Sequence, residues 1–240
     1  MKQTGLIKDL LQELGLDHPQ TKYDKYTTPA IEVLHADLDK PEFAEEWNYR
    51  TLIGKLNFLA LNSRPDIAFA VHQCARFCSN PRQTHGAAVK RIGRYLKTTP
   101  DSGLIFDPRG DHSLHAYCDA DFAGRWTKKT SATRSSTLNR TGFVILYSGC
   151  PILWHSKLQT EIALSTCEAE YIALSQCARV LIPLRRLLEN ICSIFKTKGS
   201  NTKLCNGTSN FLNCLGKSVI LEDNASCIAL ALDNENRNSP

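Results

Sequence analysis

The chain has 240 residues, a formal net charge of +5, 42% hydrophobic residues and 22% charged residues. This composition is close to that of average globular proteins, so it excludes a disordered tail and a collagen-like or coiled-coil rod. The length allows one large domain or one and a half small ones. No apolar run approaches the roughly 20 residues that span a bilayer, so we expect no membrane partner.

The first hundred residues are predicted to be helical. Apolar residues recur at helical spacing from Leu6 to Leu14, and Gly15 is a natural helix end. A loop over 17–41 follows, and further helices are predicted from Pro41 to Asn62, from Arg64 to Phe77 and from about Gly86 to Lys97. We assign residues 1–102 to a small helical subdomain.

Beyond this subdomain the hydrophobic period changes from helical to alternating. Short β-rich runs separated by turn residues predict hairpin-connected antiparallel strands: Leu104–Phe106, Leu114–Asp119, Phe143–Tyr147 and Ile152–His155. A long helix from Thr166 to Asn190, kinked at Pro183, and a strand at Val219–Leu221 come next. The predictions end with a short helix over Ala225–Leu232. We assign 103–233 to a second domain, with a disordered insertion at 196–216 and a frayed tail at 234–240.

The ten cysteines do not suggest a disulfide scaffold. They are spread through apolar runs and no secretory leader precedes them, so a reducing intracellular compartment is expected. The nearest metal-like cluster is His72, Cys74, Cys78 and His85. Its spacing is that of a helix face and its exit, and therefore favours packing over zinc.

Charge is segregated along the chain. Residues 50–100 carry nine basic side chains and only Asp66 as an acid, whereas 101–121 carry five acids and one arginine. Residues 122–160 again hold six basic side chains and no acid. An acidic segment between two basic ones is typical of proteins whose flanks grip a polyanion while central carboxylates hold cations, although solvated helix faces produce the same pattern.

Three acids each stand where a predicted element begins or ends. Asp119 ends a strand, Glu170 lies in the first turns of the long helix, and Asp223 ends the last strand. Carboxylates at such positions can converge, and hard divalent cations prefer oxygen ligands. Two such cations can position a phosphate and activate a water molecule, so the pattern suggests a magnesium site. Acids at the surface ends of elements are also common without any metal.

Neighbouring acids are weaker candidates for this site. Glu168 and Glu170 differ by about 200° around the helix, so only one can face the sheet. Glu170 shares its stripe with apolar residues, whereas Glu168 fits a capping box with Ser165. Asp121 leads into a turn, which makes Asp119 the better candidate on its strand.

Most of the chain, from Asn48 to about Ala231, resembles the C-terminal part of a copia-type retrotransposon Pol polyprotein. The segments NYRTLIGKLNFLALNSRPDIAFAVHQCARFCSNP and HGAAVKRIGRYLKTTPDSGLIF resemble the stretch that joins reverse transcriptase to ribonuclease H. The segments YCDADFAG, RTGFVILYSGCPILWHSKLQT and LSTCEAEYIALS resemble the nuclease core. The resemblance implies a mixed α+β sheet with a ribonuclease H-like fold, preceded by the helical subdomain.

The same resemblance implies a function and its residues. The family cleaves the RNA strand of an RNA/DNA hybrid with two magnesium ions held by four carboxylates, and manganese can substitute. Asp119, Glu170 and Asp223 match three of the four as catalytic and metal-binding residues. The rest of a Pol polyprotein is the implied partner, and the implied location is cytoplasmic, in a virus-like particle, or nuclear.

The chain departs from the family pattern in two respects. The fourth carboxylate has no counterpart, since the text after CIALA reads LDNENRNSP, where the family continues to a last helix. The sequence also contains no Asp-Asp pair, so the polymerase motif is absent. We therefore expect a truncated fragment with weakened or absent ribonuclease activity. The alternative is a catalytically dead nucleic-acid-binding or scaffold remnant of Pol.

Basic residues flank the acidic segment and are candidates for phosphate contacts. They lie on the predicted third helix and in the loop after the first long strand: Lys90, Arg94, Lys97, Arg125, Lys128, Lys129 and Arg134. For each cluster alone, lysines on a solvated helix face are the commoner explanation.

Overall fold

The computed structural model describes residues 1–19, 26–108, 112–124, 126, 134–197 and 215–236. The chain divides into two compact units, Met1–Ile105 and Phe106–Pro240. The first unit is built from helices and the second from helices and a four-stranded mixed sheet. Along the described ranges, no helix combines the length and apolarity that crossing a bilayer requires.

Four α-helices and one 3-10 helix form the described part of the first unit. They are α1 (Thr4–Glu13), α2 (Tyr49–Asn62), the 3-10 helix Pro65–Ile67, α3 (Ala68–Ala75) and α4 (Gln83–Thr98). Their apolar faces meet in one core, which contains Leu10, Leu52, Leu56 and Ile92 at or near zero exposure.

Local chemistry explains where these helices begin and end. Gly15 has a φ of +65°, and the N–H of Leu16 reaches back to the carbonyl of Leu11 at 2.7 Å, so α1 ends in a glycine-dependent cap as predicted. Asn48 caps α2 by accepting from the N–H of Thr51 at 3.0 Å. Helix α4 begins three residues earlier than predicted because the ring of His85 accepts from the N–H of Arg82 at 2.9 Å.

The sheet of the second unit has the strand order β3-β2-β1-β4. Strands β1 (Leu114–Asp121), β2 (Arg140–Tyr147) and β3 (Cys150–Leu158) form an antiparallel meander, which confirms the predicted hairpin arrangement. Ser148 and Gly149 join β2 to β3 with φ values of 49° and 77°, as a two-residue hairpin turn of the twist-matching type requires. The short helix α5 (Arg134–Thr137) precedes β2.

Helix α6 (Thr166–Thr197) covers one face of this sheet, and β4 (Val219–Leu221) and α7 (Ala225–Asn236) follow it. Alternate residues of β1 face α6, so Leu114, Ala116 and Cys118 are buried against Cys177 and Leu181. Strand β4 then pairs in parallel with β1. Helix α6 continues through Pro183 to Thr197, seven residues beyond its predicted end.

The prediction of a strand at Leu104–Phe106 is wrong. Leu104 is buried and its N–H donates to the carbonyl of Met1 at 3.0 Å, but no partner strand lies alongside within the described residues. A β-rich tripeptide without a neighbour has no ladder to join, so it stays irregular. Most of the predicted insertion at 196–216 and the end of the predicted tail lie outside the described residues.

Candidate metal centre

Asp119, Glu170 and Asp223 converge at one end of the sheet. Each offers a carboxylate oxygen, and the three ligand atoms lie within 4.8 Å of one another. Asp119 and Asp223 are exposed and Glu170 is buried. No other group of three or more histidine, cysteine or acidic side chains with this geometry occurs among the residues that the structure describes.

The parallel pairing of β1 and β4 brings the two aspartates together. Tyr117 pairs with Leu221, and the register continued by two residues sets Asp119 opposite Asp223. Both strands run in the same direction, so their carboxyl ends meet at one edge of the sheet. Asp119 is still within β1, which continues to Asp121, while Asp223 follows the last residue of β4.

Small residues let α6 approach this edge closely. Ala120 of β1 packs against Ala163, Ala169 and Ala173, of which Ala169 and Ala173 have zero exposure. Because these side chains are single methyl groups, the carboxylate of Glu170 can reach the end of β1. Its carboxylate accepts a hydrogen bond from the backbone N–H of Ala120.

Hydrogen bonds between buried polar side chains hold the start of α6 in place. The side chain of Gln159, 1% exposed, donates to the carbonyl of Ala169 at 2.9 Å and to the hydroxyl of Thr141 at 3.2 Å. Asn139 donates to Gln159 at 3.4 Å and accepts from the N–H of Ala123 at 2.9 Å. These hydrogen bonds link three strand ends to α6. The sequence pattern did not indicate Gln159 or Asn139 as part of the site.

The electrostatic environment of Glu170 is unusual for an acid. It is 7% exposed, and its Oε2 atom has no hydrogen-bond partner among the described residues. The pKa of Glu170 is raised to about 7, mainly by burial and next by the charges of Glu222, Asp119 and Asp223, against a decrease from the Ala120 hydrogen bond. A bound cation would stabilise the charged form of this carboxylate.

The donor set fits a hard divalent cation. Three carboxylates supply only oxygen ligands, as magnesium and manganese prefer, and the orphaned Oε2 atom of Glu170 lacks the partner that a buried charged oxygen requires. Glu168 lies outside this group. Its carboxylate accepts from the N–H of Leu164 at 2.7 Å and its own N–H donates to Ser165 at 3.1 Å, so the helix-capping interpretation is confirmed.

The basic residues predicted to contact phosphate differ in their surroundings. Lys90 forms an ion pair with Glu45 at 2.7 Å, and the Arg94 guanidinium lies 5.6 Å from the ring centroid of Tyr26. Lys97 is half-buried on α4, and Arg134 begins α5. Arg125, Lys128 and Lys129 lie outside the described residues.

The cysteine- and histidine-containing segment of the first unit packs as a structural element. The ring of His85 stacks on Phe77 at 4.0 Å and hydrogen bonds to the carbonyl of His35 at 2.7 Å. Cys74 is buried in the core, and its carbonyl accepts from the hydroxyl of Tyr49 at 3.0 Å. The packing interpretation of these residues is therefore confirmed.

Sequence comparison gives several relatives. The chain is 41% identical over 143 residues, 60% of its length, to the Retrovirus-related Pol polyprotein from transposon TNT 1-94 of Nicotiana tabacum. It spans about a tenth of that polyprotein (10%). It is also 37% identical to Secreted RxLR effector protein 161 of Plasmopara viticola, over 55% of this chain and 87% of that protein.

Of these three relatives, the third aligns with the largest part of the chain. It is Uncharacterized mitochondrial protein AtMg00810 of Arabidopsis thaliana, 32% identical over 182 residues, which are 75% of this chain and 70% of that protein. No family model and no solved structure matches the chain. By its similarity to transposon Pol polyproteins and to these shorter proteins, the chain belongs to the family of retroelement Pol-derived proteins.

Proposed function

We propose that this chain is a ribonuclease H of a copia-type retroelement, which hydrolyses the RNA strand of RNA/DNA hybrids with bound magnesium. The observation that carries the proposal is the convergence of Asp119, Glu170 and Asp223 within 4.8 Å around a buried, unpartnered carboxylate oxygen. The meander followed by a helix and a parallel fourth strand supports a ribonuclease H-like fold for the second unit.

The three carboxylates have different tasks in this proposal. Glu170 is buried and holds a cation from the α6 side, whereas the exposed Asp119 and Asp223 face the side from which a phosphate can approach. Bound magnesium or manganese supplies Lewis-acid stabilisation of a phosphoryl oxygen and lowers the pKa of a bound water molecule. The chain's own residues fix where the cations lie and keep the negative charge that attracts them.

We propose that hydrolysis by this chain is slow. The family resemblance implies four carboxylates, and three residues of this sequence match them. Fewer charged ligands hold the cations less tightly, which reduces the rate at a given magnesium concentration. The remainder of a Pol polyprotein is the proposed partner, consistent with the tenth of the tobacco polyprotein that the chain covers (10%).

Phosphate contacts in this proposal come from basic side chains that are not already engaged. Lys90 is held by Glu45, so it contributes less than the half-buried Lys97. Arg125, Lys128, Lys129 and Arg134 follow β1 in sequence and remain candidates for the backbone of the hybrid. Affinity that rests on such contacts falls with salt concentration.

The test is a cleavage assay on an RNA/DNA hybrid that carries a labelled RNA strand, with and without magnesium. Asp119→Asn and Asp223→Asn are compared with Asp121→Asn, which removes the same charge from the same strand end outside the cluster. The proposal predicts slow magnesium-dependent cleavage that the first two variants abolish and the third retains. Cleavage that all three variants retain contradicts it. Hybrid binding without cleavage, unaffected by metal or by these changes, supports the alternative of a dead scaffold.

A further inference from the structure

Glu222 lies beside the three candidate ligands although it is not one of them. Ala116 pairs with Ile220 across β1 and β4, so the register continued by two residues sets Cys118 opposite Glu222. Ala116 and Cys118 face α6, and Ile220 packs in the same core. Because side chains alternate along a strand, the Glu222 side chain points toward α6, the element that carries Glu170.

Two hydrogen bonds hold the Glu222 carboxylate in this position. Its Oε2 accepts from the thiol of Cys118 at 3.1 Å, and its Oε1 accepts from the backbone N–H of Asn224 at 3.3 Å. Cys118 directly precedes Asp119, and Asn224 directly follows Asp223. One carboxylate is therefore fixed to the neighbours of both aspartate candidates.

The charge of Glu222 acts on Glu170. Among the charges that raise the pKa of Glu170, that of Glu222 is the largest, ahead of Asp119 and Asp223, and only burial has a greater effect. Glu222 itself is half-buried, so its charge is less screened than that of an exposed acid. The negative potential at the Glu170 carboxylate thus comes from three acids, Glu222, Asp119 and Asp223.

We propose that Glu222 is a positioning residue of the cation pocket, whose fixed negative charge behind Glu170 strengthens divalent cation binding without contacting the ion. This inference rests on the proposed function, because it needs a cation between Asp119, Glu170 and Asp223. The charge of Glu222 then has two opposite effects. Without a cation, the charge repels the other acids and destabilises the second unit; with a cation, the same charge attracts it.

The experiment measures manganese binding to the 240-residue chain by electron paramagnetic resonance titration. Glu222→Gln keeps a hydrogen-bond acceptor and removes the charge, whereas Glu222→Asp keeps the charge and shortens the side chain. We expect Glu222→Gln to weaken manganese binding by about tenfold or more, as is usual for groups that support metal ligands, and Glu222→Asp to weaken it less. Asp121→Asn is the control with the same loss of charge, and it should change the affinity little.

Hydrogen exchange of the β1 and β4 peptides in metal-free protein is the second measurement. Glu222→Gln should slow exchange there, because a like charge is removed, although the same variant binds manganese less tightly. Equal manganese affinities for wild type and Glu222→Gln, or a larger loss for Glu222→Asp than for Glu222→Gln, would overturn the inference and leave the proposed function standing. A wild-type chain that binds no manganese would overturn both.

Discussion

Acidic side chains of the two units have different neighbours: several in the first unit pair with bases, whereas four in the second cluster together. In Met1–Ile105, Glu13 pairs with Lys55, Glu45 with Lys90 at 2.7 Å, and Asp66 with Arg64 at 2.8 Å. In Phe106–Pro240 the acids Asp119, Glu170, Glu222 and Asp223 gather in one place. None of these four has a basic partner within 4.0 Å among the residues that the structure describes.

This difference indicates where a ligand is required. An acid next to a base is stable by itself, whereas like charges that share a site raise one another's pKa and destabilise the fold. Such an arrangement is typical of functional sites, where the missing partner is a ligand. We therefore propose a structural role for the paired acids of the first unit and a role in cation binding for the four clustered acids of the second.

The largest effect is expected at Glu170. Glu170→Gln keeps the size of the side chain but removes the buried charge, so cleavage should fall by about a hundredfold or more. The measurement is the rate of hybrid cleavage at saturating magnesium. Glu13→Gln, which breaks an ion pair of the first unit, is the control and should leave the rate unchanged. Equal losses of cleavage rate in Glu170→Gln and Glu13→Gln would contradict the different roles proposed for the acids of the two units.

A large stability effect is expected at Arg64 in the first unit. This side chain is 1% exposed, and it donates to Asp66 at 2.8 Å and to Thr99 at 2.7 Å and 2.8 Å. Arg64→Ala removes these bonds together with the packing of a buried side chain, which should cost about 3 kcal/mol. Hydrogen exchange of α2 and α4 peptides measures this loss.

The same variant also tests the independence of the two units. Manganese affinity should be unchanged in Arg64→Ala, because the proposed cation ligands belong to the second unit. A variant that loses cation binding together with the stability of its helices would contradict the assignment of a purely structural role to Arg64.

The pH dependence of the second unit is the next effect in size. Its Glu170 has a pKa of about 7, raised from 4.5, so the folded state retains a proton that the unfolded state releases. Stability from this group is complete below pH 4.5 and is lost as the pH rises through 7, by an amount on the order of 3 kcal/mol in metal-free protein. Hydrogen exchange of β1 as a function of pH measures this loss of stability. The loss should be absent in Glu170→Gln.

The smallest effect is expected on α4. Because Lys90 is engaged by Glu45, Lys90→Ala should cost at most about 1 kcal/mol of stability and change the salt dependence of hybrid binding little. Lys97→Ala should reduce the salt dependence more. Binding titrations at several salt concentrations distinguish the two, and a greater effect of Lys90→Ala would show that the ion pair opens on the hybrid.

Local patterns were sufficient to predict much of this molecule. The end of α1 at Gly15, the cap of α6 at Ser165 and the strand at Val219–Leu221 each depend on a few consecutive residues. Helical phase also separated Glu170 from Glu168, since the two point in different directions from one helix. The mutual proximity of the three acids followed from their positions at the ends of elements.

Contacts between distant residues escaped the sequence analysis. The hydrogen bond from Cys118 to Glu222 spans 104 positions and requires the register of β1 with β4. Gln159 depends likewise on the meeting of three strands and a helix. The incorrect strand at Leu104–Phe106 has the same origin, because β propensity describes a tripeptide and not the presence of a partner.

The cation pocket of the second unit is tested most directly by paramagnetic broadening of backbone amide signals, with manganese added below one equivalent. If these acids form a cation pocket, the amides of Asp119, Ala120, Glu170 and Asp223 broaden first, and Asp119→Asn abolishes this selectivity. Broadening that begins at the paired acids Glu13 and Glu45, or that spreads evenly over acidic residues of both units, would contradict a cation pocket in the second unit.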